Sequence, residues 1–167
     1  MSAPGNLWRK IHGAIAKKPT NFSWVIDDML AGSGMPTSRE EMEWVKENGI
    51  KAVLTLTEDP LPQQWVNGTD YLHVPIVNYS APNMEDMDKA VDFIDQNLKS
   101  RKSTMVHCAA GRGRTGTVLA AYLIKFRGMD AKSAIEKIRS MRPTSIENGP
   151  QETSLSFFEK YLKSKYV

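Results

Sequence analysis

Residues 106–116 read Val-His-Cys-Ala-Ala-Gly-Arg-Gly-Arg-Thr-Gly. The stretch Thr104–His107 before the cysteine predicts a buried strand, and about Thr115–Phe126 predicts a helix that ends at Gly128. The glycine-rich loop therefore connects the C-terminal end of a strand to the N-terminus of a helix. At such a junction, backbone N–H groups and the helix dipole favour a bound anion.

The side chains of this loop suggest covalent phosphoryl transfer. Cys108 lies at the base of the predicted anion site, where the same N–H groups would stabilise its nucleophilic thiolate. Gly111 and Gly113 allow several N–H groups to converge on one phosphate-sized centre. Arg114 can hold two phosphate oxygens with its planar guanidinium. We therefore predict a phosphocysteine intermediate on Cys108, with the phosphate bound by Ala109, Ala110, Gly111, Arg112, Gly113 and Arg114.

Two neighbours of the loop are expected to support this chemistry. Thr115 can donate its hydroxyl to the sulfur, which would ease departure of the thiolate when phosphocysteine is hydrolysed. His107 is expected to orient the loop from beneath, as a core histidine that is hydrogen-bonded to backbone.

Predicted strands and helices alternate along the rest of the chain. A capping box, Ser38-Arg-Glu-Glu41, opens a helix, and Asn83 with Asp86 begins another. This alternation predicts an α/β fold, a three-layer sandwich with a central, mostly parallel sheet flanked by helices. The other predicted strands are 22–26, 29–31, 52–56 and 71–76, and the other predicted helices end near 48 and 98 or cover 130–141 and 151–163.

Composition narrows the class of protein. With 167 residues, 41% hydrophobic content and a net charge of +3, the chain suits one soluble domain. Cys108 is the one cysteine, and the histidines show no metal-ligand spacing, so we expect no metal. No apolar run reaches the roughly 18–20 residues that span a bilayer, and we expect a cytoplasmic protein.

The first 20 residues differ from the remainder. They carry four basic residues and no acid, whereas residues 21–167 hold 18 basic and 19 acidic residues, so we expect no nucleic-acid partner. We predict a basic N-terminal helical extension, 1–20, followed by a catalytic domain, 21–167. The extension either packs on the domain, contacts a membrane or a partner through residues 7–18, or is disordered. Its apolar residues at helical spacing are Leu7, Trp8, Ile11, Ala14 and Ile15.

The frame His-Cys-x-x-Gly-x-x-Arg-Thr-Gly in residues 107–116 resembles the signature loop of the protein tyrosine phosphatase superfamily. The likeness is greater to small atypical dual-specificity phosphatases of the VHZ type and their archaeal relatives. It extends over about residues 21–163, including Asn21-Phe-Ser-Trp-Val25, Leu54-Thr-Leu-Thr-Glu58 and Met141-Arg-Pro143. The resemblance implies hydrolysis of phosphotyrosine, and often phosphoserine or phosphothreonine, in a protein or peptide partner without a cofactor.

The resemblance also implies roles outside the loop, with one departure. Gln151 would position the attacking water, and Glu58 would support Arg114. The family's mobile loop carries an aspartate that protonates the leaving oxygen, but Asn78 occupies that place here. Asparagine donates no transferable proton at neutral pH. Either another acid acts, with Glu147 the best candidate, or Asn78 is a replacement that slows turnover, or the enzyme favours good leaving groups.

Two alternatives to a protein phosphatase stay open. Arg112 resembles the extra basic residue in the loop of phosphoinositide phosphatases, although Ala109 and Ala110 lack the second basic group expected there. A phosphoinositide or inositol-phosphate phosphatase is therefore one alternative. The other is a phospho-binding module with weak turnover, which Asn78 would explain.

Overall fold

The alternating pattern folds into a sheet between two layers of helices, and the computed structural model describes residues 4–166. The strands are β1 (Ser23–Ile26), β2 (Leu30–Ser33), β3 (Ile50–Thr55), β4 (Asp70–His73) and β5 (Ser103–His107). The helices are α1 (Pro4–Ala16), α2 (Arg39–Glu47), α3 (Gln63–Val66), α4 (Met84–Lys99), α5 (Gly113–Arg127), α6 (Ala131–Met141) and α7 (Gly149–Lys165).

The sheet has the strand order β1-β2-β5-β3-β4. Only the β1–β2 pair is antiparallel among the described strands, and the other neighbours run parallel. β5 therefore lies in the centre, where His107 pairs with Ser33 of β2 and with Thr55 of β3. The chain leaves β5 at the carboxyl edge of the parallel strands, the edge at which open α/β sheets bind ligands.

Successive strand residues point to opposite faces of the sheet and build two apolar cores. Leu54 and Val106 pack with α4, α5, α6 and α7 on one face. Val53 and Met105 pack with α2 and α3 on the other. The sheet is thus covered on both faces, which confirms the predicted three-layer α/β sandwich.

The element boundaries differ from the predicted ones at two places near the site. β4 ends at His73 instead of Ile76, because Pro75 has no N–H for the ladder, although Val74 and Ile76 still donate to Thr55 and Leu56. α5 begins at Gly113, within the glycine-rich loop, instead of at Thr115. The short helix α3 was not predicted.

α1 has an unusual orientation on the domain. Its half-buried residues are Asn6, Arg9, His12 and Ala16, so a mainly polar stripe faces the body of the protein. The large apolar residues Leu7, Trp8, Ile11 and Ile15 are exposed. Packing through an apolar face, the usual reason for a short helix to dock on a domain, is therefore not what holds α1. No helix within residues 4–166 is long and apolar enough to cross a membrane.

Candidate active site

The signature loop, Cys108–Arg114, runs from the end of β5 into the first turn of α5. Cys108 is a free thiol and 3% exposed. Gly111 has φ +72°, and a Cβ on it would lie 2.5 Å from the carbonyl carbon of Ser33. The tight turn beside β2 thus requires glycine at position 111.

The loop turns its carbonyl groups outward and leaves its N–H groups unpaired. Met35 N donates to the Ala109 carbonyl at 3.0 Å, and Asn21 Nδ2 donates to the carbonyls of Ala110 and Gly111 at 3.2 and 3.0 Å. The backbone N–H groups of Ala109–Arg112 donate no hydrogen bond to any residue that the structure describes. A ring of unpaired N–H groups at a helix N-terminus is the feature that binds a phosphate.

Arg142 secures the loop from behind. Its Nη2 donates to the Gly111 carbonyl at 2.6 Å, and its Nη1 donates to Asn21 O at 3.0 Å, Gly32 O at 3.1 Å and Ser23 Oγ at 2.5 Å. Burial lowers the pKa of Arg142 from its ordinary value to about 10. We assigned no role to Arg142 or Asn21 from the sequence, although both fall in segments that carry the family resemblance.

Arg114 is buried and its position is fixed by one end of its guanidinium. Nη1 donates to Glu58 Oε1 at 2.7 Å and to the Ile76 carbonyl at 2.8 Å. Nε and Nη2 donate no hydrogen bond to the described residues, so they remain free for phosphate oxygens. Glu58 thus makes the contact with Arg114 that its expected supporting role requires, although its own side chain is 59% exposed.

His107 lies fully buried under the loop. Its Nδ1 lies 3.2 Å from the Cys108 carbonyl oxygen, and its Nε2 lies 2.7 Å from Thr55 Oγ1. A carbonyl only accepts, so Nδ1 carries the proton, and in the neutral ring the Thr55 hydroxyl donates to Nε2. Burial, with a smaller effect from the charge of Arg114, lowers the pKa of His107 from 6.5 to about 4.

The lowered pKa of His107 predicts a pH-dependent stability. Between pH 6.5 and 4 the unfolded chain binds a proton at this ring and the folded protein does not, so stability falls as the pH falls. The full effect is on the order of 3 kcal/mol. Urea unfolding at several pH values should show that His107→Gln removes this part of the pH dependence. If the free energy of unfolding fell with pH as steeply in His107→Gln as in the wild type, the assignment of this pH dependence to His107 would be wrong.

Thr115 and Gln151 are both fully buried beside the loop. Thr115 Oγ1 has no hydrogen-bond partner among the described residues, and no bond to the Cys108 sulfur is formed, so its predicted role stays a prediction. Gln151 Oε1 accepts from Glu147 N at 2.8 Å, and Nε2 donates to Ser80 O at 3.3 Å. A Cβ on Gly113 would lie 2.6 Å from Gln151 Nε2, so this amide lies against the start of α5.

The two candidate acids are placed differently. Glu147 Oε2 would lie 2.5 Å from a Cβ on Gly113, and Glu147 lines the cavity beside the loop. Ile146, just before it, is buried at φ +60°, a conformation that is costly for a β-branched residue and typical of functional sites. Asn78 is exposed, and its Oδ1 accepts from Tyr79 N at 3.0 Å. Asn78 does not line that cavity.

A cavity of about 550 Å³ opens beside the signature loop. Arg112 and Ala110 of the loop line it together with Trp8 and Arg9 of α1 and with Tyr79. The pKa of Arg9 is lowered chiefly by burial; the nearby Cys108 raises it, and Arg112 and Arg114 lower it. Arg9 Nε is buried and has no hydrogen-bond partner among the described residues. α1 thus contributes a further arginine near the sulfur, which we did not predict from the sequence.

The known proteins that are similar to this chain include phosphatases. Residues 19–155 match the family model "Swiss Army Knife protein, DSP-PTPase phosphatase domain". The phosphatidylglycerophosphate phosphatases PTPMT2 and PTPMT1 of Arabidopsis thaliana are 33% and 37% identical over 86% and 76% of this chain. The chain spans 66% and 40% of their lengths. The crystal structure of Tk-PTP in its active form is 30% identical, with a TM-score of 0.78 over 83% of this chain and 96% of that one.

Proposed function

This chain belongs to the family of DSP-PTPase phosphatase domains, as its signature loop predicted, and on that premise we propose that it hydrolyses phosphate monoesters through a phosphocysteine on Cys108. One observation carries the proposal: the loop that follows Cys108 leaves its N–H groups unpaired, and Arg114 at its end keeps two nitrogens free of any bond to the described residues. Such donors stabilise the three oxygens of a phosphoryl group during transfer.

In the first step the Cys108 thiolate attacks phosphorus. A sulfur–phosphorus bond forms while the ester phosphorus–oxygen bond breaks, and the leaving oxygen takes a proton from a carboxylic acid. We assign that acid to Glu147, because it lines the cavity and Asn78 does not. Arg114, fixed through Nη1, presents Nε and Nη2 to the equatorial oxygens.

In the second step water attacks the phosphocysteine. The sulfur–phosphorus bond breaks, inorganic phosphate leaves, and the proton of the water returns to the Glu147 carboxylate. Gln151 is the residue that we expect to position this water, since its amide lies at Gly113 over the loop. The unpartnered hydroxyl of Thr115 would donate to the departing thiolate.

As substrate we propose a phosphate monoester on the headgroup of an anionic phospholipid. Two arginines, Arg9 and Arg112, line the cavity beside the signature loop, and a second anionic group on the substrate would neutralise them while Arg114 holds the phosphate. Trp8 and Tyr79 add exposed rings to the same cavity. The two phosphatidylglycerophosphate phosphatases among the relatives act, by name, on a lipid of this kind.

The second candidate substrate is phosphotyrosine in a protein, with phosphoserine and phosphothreonine less favoured. Asn78 supports it, because an enzyme without an acid at that position favours leaving groups that depart without a proton. A phenolate (pKa about 10) departs far more easily than an alkoxide.

For either substrate we propose the cytoplasm as the place of action, as the sequence predicted.

A panel of three substrates tests the choice between an anionic phospholipid and a phosphorylated protein. It contains a phosphatidylglycerophosphate-type lipid in detergent, a phosphotyrosine peptide and a phosphoserine peptide, and kcat/KM is measured for each. The lipid should give the highest value. A higher value for the phosphotyrosine peptide would establish the second candidate. Tight binding of all three without turnover would indicate a phospho-binding module instead of an enzyme.

Arg9→Gln should weaken the enzyme selectively. For a soluble headgroup analogue with a phosphate monoester and a phosphodiester, KM should rise about 10-fold, the worth of one charge-assisted hydrogen bond. For nitrophenyl phosphate, which has no second anion, KM should stay unchanged. Lys10→Gln is the matched control, because Lys10 is the next residue of α1 but is exposed and outside the cavity. An equal rise for both substrates would remove the second-anion role of Arg9.

A further inference from the structure

The face of α1 that points away from the domain is apolar, and no residue within 4–166 covers it. Leu7, Trp8, Ile11 and Ile15 are 63%, 60%, 51% and 81% exposed. These residues recur every three or four positions, so they form one continuous stripe along the helix. A continuous exposed apolar stripe on a protein surface marks a contact with something else.

Charge identifies the partner. α1 and the residues just after it carry Arg9, Lys10, Lys17 and Lys18, and no acid occurs before Asp27. Lys10, Lys17 and Lys18 are exposed around the apolar stripe. A second copy of this helix would bring the same positive charge and be repelled. An apolar stripe bordered by lysines matches an anionic phospholipid surface, which offers both negative headgroups and acyl chains.

The active site opens beside this stripe. Trp8, which belongs to the stripe, lines the same cavity as Arg112 and Tyr79. Tyr79 is 64% exposed and Val77, two residues earlier, is 66% exposed. Exposed apolar side chains from two elements therefore line the cavity, Trp8 on α1 and Tyr79 on the loop after β4.

We propose that the stripe Leu7, Trp8, Ile11 and Ile15, with Val77 and Tyr79, docks the protein on an anionic membrane with the signature-loop cavity facing the lipid. The docking goes beyond the proposed function and does not require it. Only its catalytic consequence, direct access to a membrane-borne phosphate monoester, rests on the proposed lipid substrate. Docking of this kind accounts for the orientation of α1, in which Arg9 faces the site and the apolar side chains would face the bilayer.

Vesicle co-sedimentation tests the docking. The full chain is mixed with vesicles of phosphatidylcholine containing roughly 30% phosphatidylglycerol, and in parallel with pure phosphatidylcholine vesicles. The protein should bind the anionic vesicles, and binding should weaken with added salt and be much weaker on neutral vesicles. Ile11→Asp should weaken binding to the anionic vesicles by about 10-fold or more, because it places a charge in the stripe.

The controls separate this result from its alternatives. Phe157→Asp changes a residue of similar exposure, 56%, on α7 and should leave vesicle binding unchanged. Circular dichroism and the turnover of nitrophenyl phosphate should be the same for Ile11→Asp and wild type. Failure of the wild type to bind anionic vesicles, with hydrolysis intact, would overturn the docking alone. So would a dimer that Ile11→Asp disrupts in the absence of vesicle binding. Vesicle binding without any hydrolysis would overturn only the proposed function.

Discussion

Cys108→Ser is expected to abolish hydrolysis of every phosphate ester while the site still binds phosphate. The reaction that we propose requires a strong nucleophile, and a serine hydroxyl is a far poorer nucleophile than a cysteine thiolate. The groups that hold the phosphate, the loop N–H groups and Arg114, are not changed by this substitution. Turnover of nitrophenyl phosphate should fall to the background rate.

Phosphate binding must be measured beside turnover, because it distinguishes loss of the nucleophile from damage to the loop. Tungstate or inorganic phosphate should bind Cys108→Ser with a Kd close to that of the wild type, as measured by calorimetry. Arg114→Ala is the matched comparison, since it keeps the thiol but removes a phosphate ligand and should lose affinity. Appreciable turnover by Cys108→Ser would mean that the cysteine is not the nucleophile. Loss of both turnover and binding, with altered circular dichroism, would report a damaged loop instead.

The fold could be predicted because local patterns determine it. Short runs with buried apolar residues, 52–56 and 104–107, marked β3 and β5, and Ser38 and Asn83 each cap a helix as their spacing indicated. The misplaced boundaries lie where one residue alters a pattern. Pro75 interrupts the ladder of β4, and the glycines at the start of α5 concealed its first turn.

Candidate site residues came from the sequence by two routes, adjacency in one loop and the family resemblance. Cys108 and Arg114 belong to one loop, and the family resemblance supplied Glu58, which lies against Arg114. Arg142 and Asn21 could not be assigned from spacing. They reach Gly111 from 31 and 90 positions away, and only the folded chain shows that their donors meet its carbonyl.

The orientation of α1 could not be read from its sequence either. Its apolar spacing indicates an amphipathic helix but not which of its faces meets the protein. In the structure the face with Arg9 meets the site and the apolar face is exposed. This orientation of α1 supplies both the second arginine of the cavity and the stripe that we propose to bind lipid.

Glu147→Gln is expected to lower kcat/KM for an alkyl phosphate by about 10²–10⁴-fold, the usual worth of a positioned general acid. An alkoxide leaves only with a proton, and Glu147 is the acid that lines the cavity beside the signature loop. Nitrophenyl phosphate should lose little, because nitrophenolate departs without one.

Asn78→Asp tests whether position 78 or position 147 provides the general acid. Asn78 is exposed and bonded to its own loop at Tyr79 N, so an aspartate there should add little to the rate of either substrate. Should Asn78→Asp instead accelerate the alkyl phosphate strongly while Glu147→Gln leaves it unchanged, the loop after β4 must close over the site during catalysis. Position 78 would then be the place of the acid, and Glu147 would have no part in proton transfer. Equal losses for aryl and alkyl substrates in Glu147→Gln would assign Glu147 to binding, because only a proton donor distinguishes the leaving groups.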